Sequence, residues 1–139
     1  MELDTVYQNH LLGVAEFLEP NQGRRFLTLA QGGEKKVRKA FEMFHHDLRP
    51  KETSSKLLSG ADGFADIIEH EMLDMGASTK AVILSAQNDI KEMSLSEALR
   101  NVVGFDAGTI ISSIPGKLAF WESGSMNYRY ILYNNKGTK

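Results

Sequence analysis

The sequence predicts an α+β domain, one mixed or antiparallel sheet of about five strands packed with about four helices. Three observations carry that expectation. Apolar residues recur at helical spacing through much of the first two thirds of the 139-residue chain. The last third changes to strand-like alternation. A single run, Ala81-Val82-Ile83-Leu84, is apolar at every position, as in a central strand covered on both faces. The element order read from these signals is α-β-α-α-β-α-β-β-β, with the last three strands forming a meander.

Each element has its own warrant. Over residues 2–18, Leu3, Val6, Tyr7, Leu11, Val14, Phe17 and Leu18 form a helical stripe, stopped by Pro20. Residues 25–30 lie between the turn-prone segments 21–23 and 31–33 and read as a short strand. Over 34–48, Val37, Ala40, Phe41, Phe44 and Leu48 repeat at helical intervals, and Pro50 closes that helix. Residues 51–60 read as a connection with a half-turn at 57–58. A helix over 61–75 turns Phe64, Ile67, Ile68, Met72 and Met75 inward and ends at Gly76. Residues 80–86 form the nearly all-apolar strand. Ser94 and Glu97 make a capping box for a helix that buries Leu95, Ala98, Leu99, Val102 and Val103. Strands at 109–114 and 117–122 flank a type II turn at Pro115-Gly116, and 128–133 supplies the last strand.

Composition bounds the class. Hydrophobic content of 42% and charged content of 24% suit one packed domain over 1–139, with 134–139 as a frayed tail. A formal net charge of −2 disfavours extended nucleic acid and anionic membranes as partners. With no cysteine, disulfides, thiolate metal sites, iron–sulfur clusters and cysteine nucleophiles are excluded. The acidic start at Glu2 and Asp4 shows no leader pattern, and no apolar run is long enough to span a bilayer. These features together predict a cytoplasmic protein with no cofactor.

Charge is unevenly distributed. Residues 1–20 carry Glu2, Asp4, Glu16 and Glu19 with no Lys or Arg. Residues 21–56 are rich in Lys and Arg, and residues 57–76 carry Asp62, Asp66, Glu69, Glu71 and Asp74 with neither. Lys35, Lys36 and Lys39 crowd a helix start, where the dipole disfavours cations. With Arg24 and Arg25 upstream and the Gly32-Gly33 amides beside them, they form a candidate anion site. No P-loop pattern accompanies them, and a solvated face, or pairing with the acidic helix, accounts for the same residues.

Asp66, His70 and Asp74 lie along one helical face, too far apart for all of them to hold one metal ion, so His45-His46-Asp47 would have to supply further ligands. That histidine cluster also suits a helix C-terminus without any catalysis. Ser85, Ser112 and Ser113 are the available hydroxyls, but none stands in a nucleophile motif. His10 reads as a partly buried structural residue. Phe120, Trp121, Tyr128, Tyr130 and Tyr133 fall on neighbouring strands. If one sheet face is open, Trp121, Tyr128, Arg129 and Tyr130 are candidate interface residues; if it is covered, the rings are core or pair across strands.

Three functions follow in order of what each must assume. The first is a protein-binding module (an inhibitor, an immunity-type antidote or an adaptor) with another protein as partner and homo-oligomers left open. The second is a phosphate, nucleotide or nucleic-acid binder through Arg24, Arg25, Lys35, Lys36 and Lys39. The third is a metal-assisted hydrolase using the His and Asp clusters. No residue is assigned as catalytic or as a metal ligand.

Overall fold

The apolar run at 81–84 lies in a strand whose side chains are buried on both faces. That strand belongs to an antiparallel sheet, seen in a computed structural model that describes residues 5–45, 47–85, 90–123 and 128–134. The strands are β1 (Ser55–Leu58), β2 (Lys80–Ser85), β3 (Lys91–Ser94), β4 (Thr109–Ile114), β5 (Leu118–Glu122) and β6 (Arg129–Tyr133). They form one six-stranded sheet in the order β1-β6-β5-β4-β2-β3. Every pairing is antiparallel. The helices are α1 (Thr5–Gly13), α2 (Pro20–Ala30), α3 (Glu34–Glu42), α4 (Ala65–Asp74) and α5 (Leu95–Val102). The class is α+β, with six strands rather than about five.

Period-two alternation divides the sheet between two cores. Val82, Leu84, Ile110, Ala119, Trp121 and Leu132 face α1, α2 and α3. Ala81, Ile83, Ile111, Leu118, Phe120 and Ile131 face α4 and α5. Phe120 and Trp121 therefore point to opposite faces, as neighbours in a strand must. The meander of β4, β5 and β6 forms as expected, and the β4–β5 turn has Pro115 followed by Gly116 at φ 73°, the left-handed angle a type II turn requires. Gly76 closes α4 at φ 101°, and Ser94 caps α5 by accepting the Glu97 amide at 3.1 Å.

Several expected elements are different in the structure. Residues 25–30 are not a strand but the end of α2. Pro20 opens that helix at its first turn, while the helix expected to run to residue 18 ends at Gly13 and gives way to a 3-10 turn over Val14–Phe17. The buried positions Gln22, Phe26 and Ala30 step by four. Gln22 hides that period because it is polar. Its amide donates to the Asp47 carbonyl at 2.6 Å and accepts the Arg49 amide, so it is buried but satisfied. The helix expected over 34–48 stops at Glu42, although Phe44 and Leu48 remain in the core. Part of the connection at 51–60 is strand β1, an edge strand beside β6. The other edge, β3, carries Lys91 and Glu92, and charge on a short edge is how sheets avoid further pairing. Expectations about His46, residue 86, the turn at 124–127 and the tail at 135–139 lie outside the described residues. Among the described residues no helix is long and apolar enough to cross a membrane.

Candidate functional site

At one end of the sheet, on the α4–α5 face, four polar residues stand in a single row across four strands. Ser85 of β2 is opposite Thr109 of β4, Thr109 is opposite Glu122 of β5, and Glu122 is opposite Arg129 of β6. Alternation fixes the face, because the next residues inward, Leu84, Ile110, Trp121 and Tyr130, all pack toward the other core. Ser85, Thr109 and Glu122 are buried. The Thr109 hydroxyl has no hydrogen-bond partner among the described residues.

The row is anchored by one ion pair. Arg129 Nε donates to Glu122 Oε1 at 2.9 Å. Burial pushes the Glu122 carboxyl above its ordinary range, while the Arg129 guanidinium and the Gly104 backbone amide pull it back. The same guanidinium lies beside two loops. A Cβ placed on Gly63 would lie 3.6 Å from Nη1, and one on Gly104 would lie 3.3 Å from Nη2. Gly104 also has φ 80°, a backbone angle that favours glycine there. Gly63 ends the short 3-10 turn before α4, and Gly104 follows α5. Both loops therefore run close to the Arg129 guanidinium.

The residue after each glycine is an exposed phenylalanine. Phe64 is 66% exposed and Phe105 is 84% exposed. Ile67 on α4 is 43% exposed, and Tyr128, just before Arg129, is 45% exposed. Of the five residues expected inward, Ile68 and Met72 are buried as expected, whereas Phe64, Ile67 and Met75 are exposed, a correction to the sequence expectation. Met75 is 41% exposed. Helical spacing admits both stripes, and only the direction of the sheet decides between them. The sequence signal for Phe105 is slight: it is a lone aromatic between Gly104 and Asp106, in a stretch with no periodic pattern.

The expected interface residues separate. Trp121 is buried, its indole N–H donating to the Phe44 carbonyl at 2.6 Å. Its ring stacks on Tyr130, centroids 5.0 Å apart. It therefore presents nothing to solvent, because α1, α2 and α3 cover that sheet face. Tyr130 is half-buried beside it, Arg129 is held in its ion pair, and Tyr128 alone of the four is exposed.

Arg24, Arg25, Lys35, Lys36 and Lys39 are exposed along α2 and α3. Arg24 bonds to the Asn21 side chain, and the Lys36 stem lies over Gly32. The acidic helix α4 is on the opposite side of the sheet, so acidic and basic helices do not pair. Glu71 instead meets Lys56 of β1, a bond that raises the lysine pKa. The His45 ring packs over Gly108, again on the far side from the face of Asp66, His70 and Asp74. Among the described residues no group of His, Asp and Glu is placed to hold a metal ion. His10 does meet Ser112, with Nδ1 and Oγ 2.7 Å apart. Both are buried, and burial lowers the His10 pKa against the opposing pull of Glu92. The pair ties α1 to the sheet. Compared with protein-family models, with curated proteins and with solved structures, the chain matches none.

Proposed function

We propose that this chain is a small cytoplasmic protein-binding module, an inhibitor, an immunity-type antidote or an adaptor, whose contact surface centres on Phe64 and Phe105. The observation that supports the reading is the exposure of these two rings on loops that run beside the Arg129–Glu122 ion pair. Each ring forgoes about 1.5–3 kcal/mol of burial in the free protein, a gain recovered when another surface covers it. Interface hot spots are of that size and chemistry. The Arg129 guanidinium against Gly63 and Gly104 lowers the cost of ordering the loops on association. Ile67, three residues after Phe64 on α4, adds exposed apolar area next to it. A chain without cysteine is at home in a reducing compartment.

The reading is tested by placing a photoreactive phenylalanine analogue at position 105 and, as a control, at exposed Gln31 on the other side of the sheet. Irradiation in the native cytosol should give one discrete protein adduct at 105 and none at 31. Absence of an adduct at 105, or the same adducts at both positions, would reject the surface.

A further inference from the structure

Resting on that interface reading, we infer that the partner presents a basic amphipathic segment, lysine or arginine side chains around an apolar anchor, to the outward face of α4. With Ile68 and Met72 turned to the core, α4 shows Asp66, Ile67, His70, Leu73 and Asp74 to solvent. Asp66, His70 and Asp74 step by four along this face, flanked by the apolar Ile67 and Leu73 and preceded by Phe64. Among the described residues, the ion pairs of this helix are Glu71 with Lys56 and the exposed His70–Asp74 contact at 3.5 Å. Asp66 and Glu69 have no basic side chain within ion-pair reach among the described residues.

The basic cluster of the same molecule does not neutralise this face. Arg24, Arg25, Lys35, Lys36 and Lys39 sit on α2 and α3, beyond the sheet. The sheet and a helix on each side exceed a Debye length of about 10 Å. An exposed apolar stripe bordered by carboxylates, of which Asp66 and Glu69 have no ion-pair partner among the described residues, is complementary to a cationic, apolar surface. The faces of Phe64 and Phe105 also attract cationic groups. Anionic membranes and nucleic acid are repelled by the same carboxylates.

The test uses the full chain and two labelled synthetic peptides of about 18 residues, five helical turns. One repeats Leu and Lys at amphipathic helical spacing, and the other has Glu at every Lys. Fluorescence anisotropy should show the Lys peptide binding at least about tenfold more tightly than the Glu peptide, with the preference shrinking in high salt. D66K/D74K and F64S/F105S should each weaken it about tenfold, whereas E34K/E42K, the same charge change on α3, should weaken it less than about threefold. Binding of neither peptide, preference for the Glu peptide, or equal loss in E34K/E42K would overturn the inference. So would sedimentation showing self-association that both D66K/D74K and K35E/K36E abolish, since the occupant would then be a second copy. A discrete photo-adduct at position 105 combined with any of these peptide results would leave the interface standing and reject only its basic partner.

Discussion

Arg129 and Glu122 face one another across β6 and β5, and their 2.9 Å contact joins side chains that are 22% and 3% exposed. A charge pair so enclosed matters most when one member is removed. Arg129→Met leaves the Glu122 carboxylate buried and uncompensated, which should cost about 3 kcal/mol in urea unfolding. Adding Glu122→Leu should recover more than half of that loss, because the orphaned charge is gone. A double variant as unstable as the single one would contradict the assignment.

Two buried titratable groups give opposite pH dependence. Burial holds His10 below the ordinary imidazole value of 6.5, so the unfolded chain binds more protons just below that pH. The His10 contribution is therefore complete above 6.5 and declines as pH falls through it. Glu122 is raised above the ordinary 4.5, so its contribution is complete below 4.5 and is lost as pH rises through the raised value. Urea midpoints across this range should fall less steeply on the acid side in His10→Gln. They should decline less with rising pH above 4.5 in Glu122→Gln. Curves that keep the shape of the unsubstituted protein would show that neither group titrates as described.

Trp121 is a core residue whose polar end is satisfied by the Phe44 carbonyl. Trp121→Phe keeps an aromatic ring beside Tyr130 but leaves that carbonyl unpaired, a loss of about 1–3 kcal/mol. Trp121→Ala should lose about 3–5 kcal/mol by also opening a cavity. A Trp121→Ala protein of undiminished stability would mean that the indole packs elsewhere.

Gly13 reverses the usual order of helix propensities. Its backbone is helical at φ −62°, where alanine is ordinarily better by about 1 kcal/mol. A Cβ there would lie 2.4 Å from the Gly116 amide nitrogen, in backbone that cannot swing aside. Gly13→Ala should therefore destabilise, and chemical denaturation should show a lower midpoint. A higher midpoint would mean that the α1 end and the Pro115–Gly116 turn are not in contact.

The elements legible in the sequence are those whose periodicity coincides with burial. Ala81–Leu84 reads as a two-sided strand because both faces of β2 are covered. Ser94 and Glu97 read as a cap because the hydroxyl does accept that amide. Residues 25–30 misled because the buried period of α2 runs through Gln22, whose partners lie 25 and 27 residues away. The edge strands β1 and β3 are too short and too charged to show alternation. Tyr128 and Arg129 are legible from their residue types. Phe64 and Ile67 read as core residues because a helix does not announce which of its apolar stripes meets the sheet. The row Ser85–Thr109–Glu122–Arg129 depends on strand register between segments distant in sequence, which no local pattern encodes.

The most direct measurement of the central claim compares F64S/F105S with the unsubstituted protein in two assays run side by side. Urea unfolding should agree within about 0.5 kcal/mol, as for exposed positions generally. Affinity capture from native cytosol should lose a stoichiometric protein that the unsubstituted chain retains. A variant that unfolds would return Phe64 and Phe105 to the core, and one that keeps its partner would place the contact surface elsewhere.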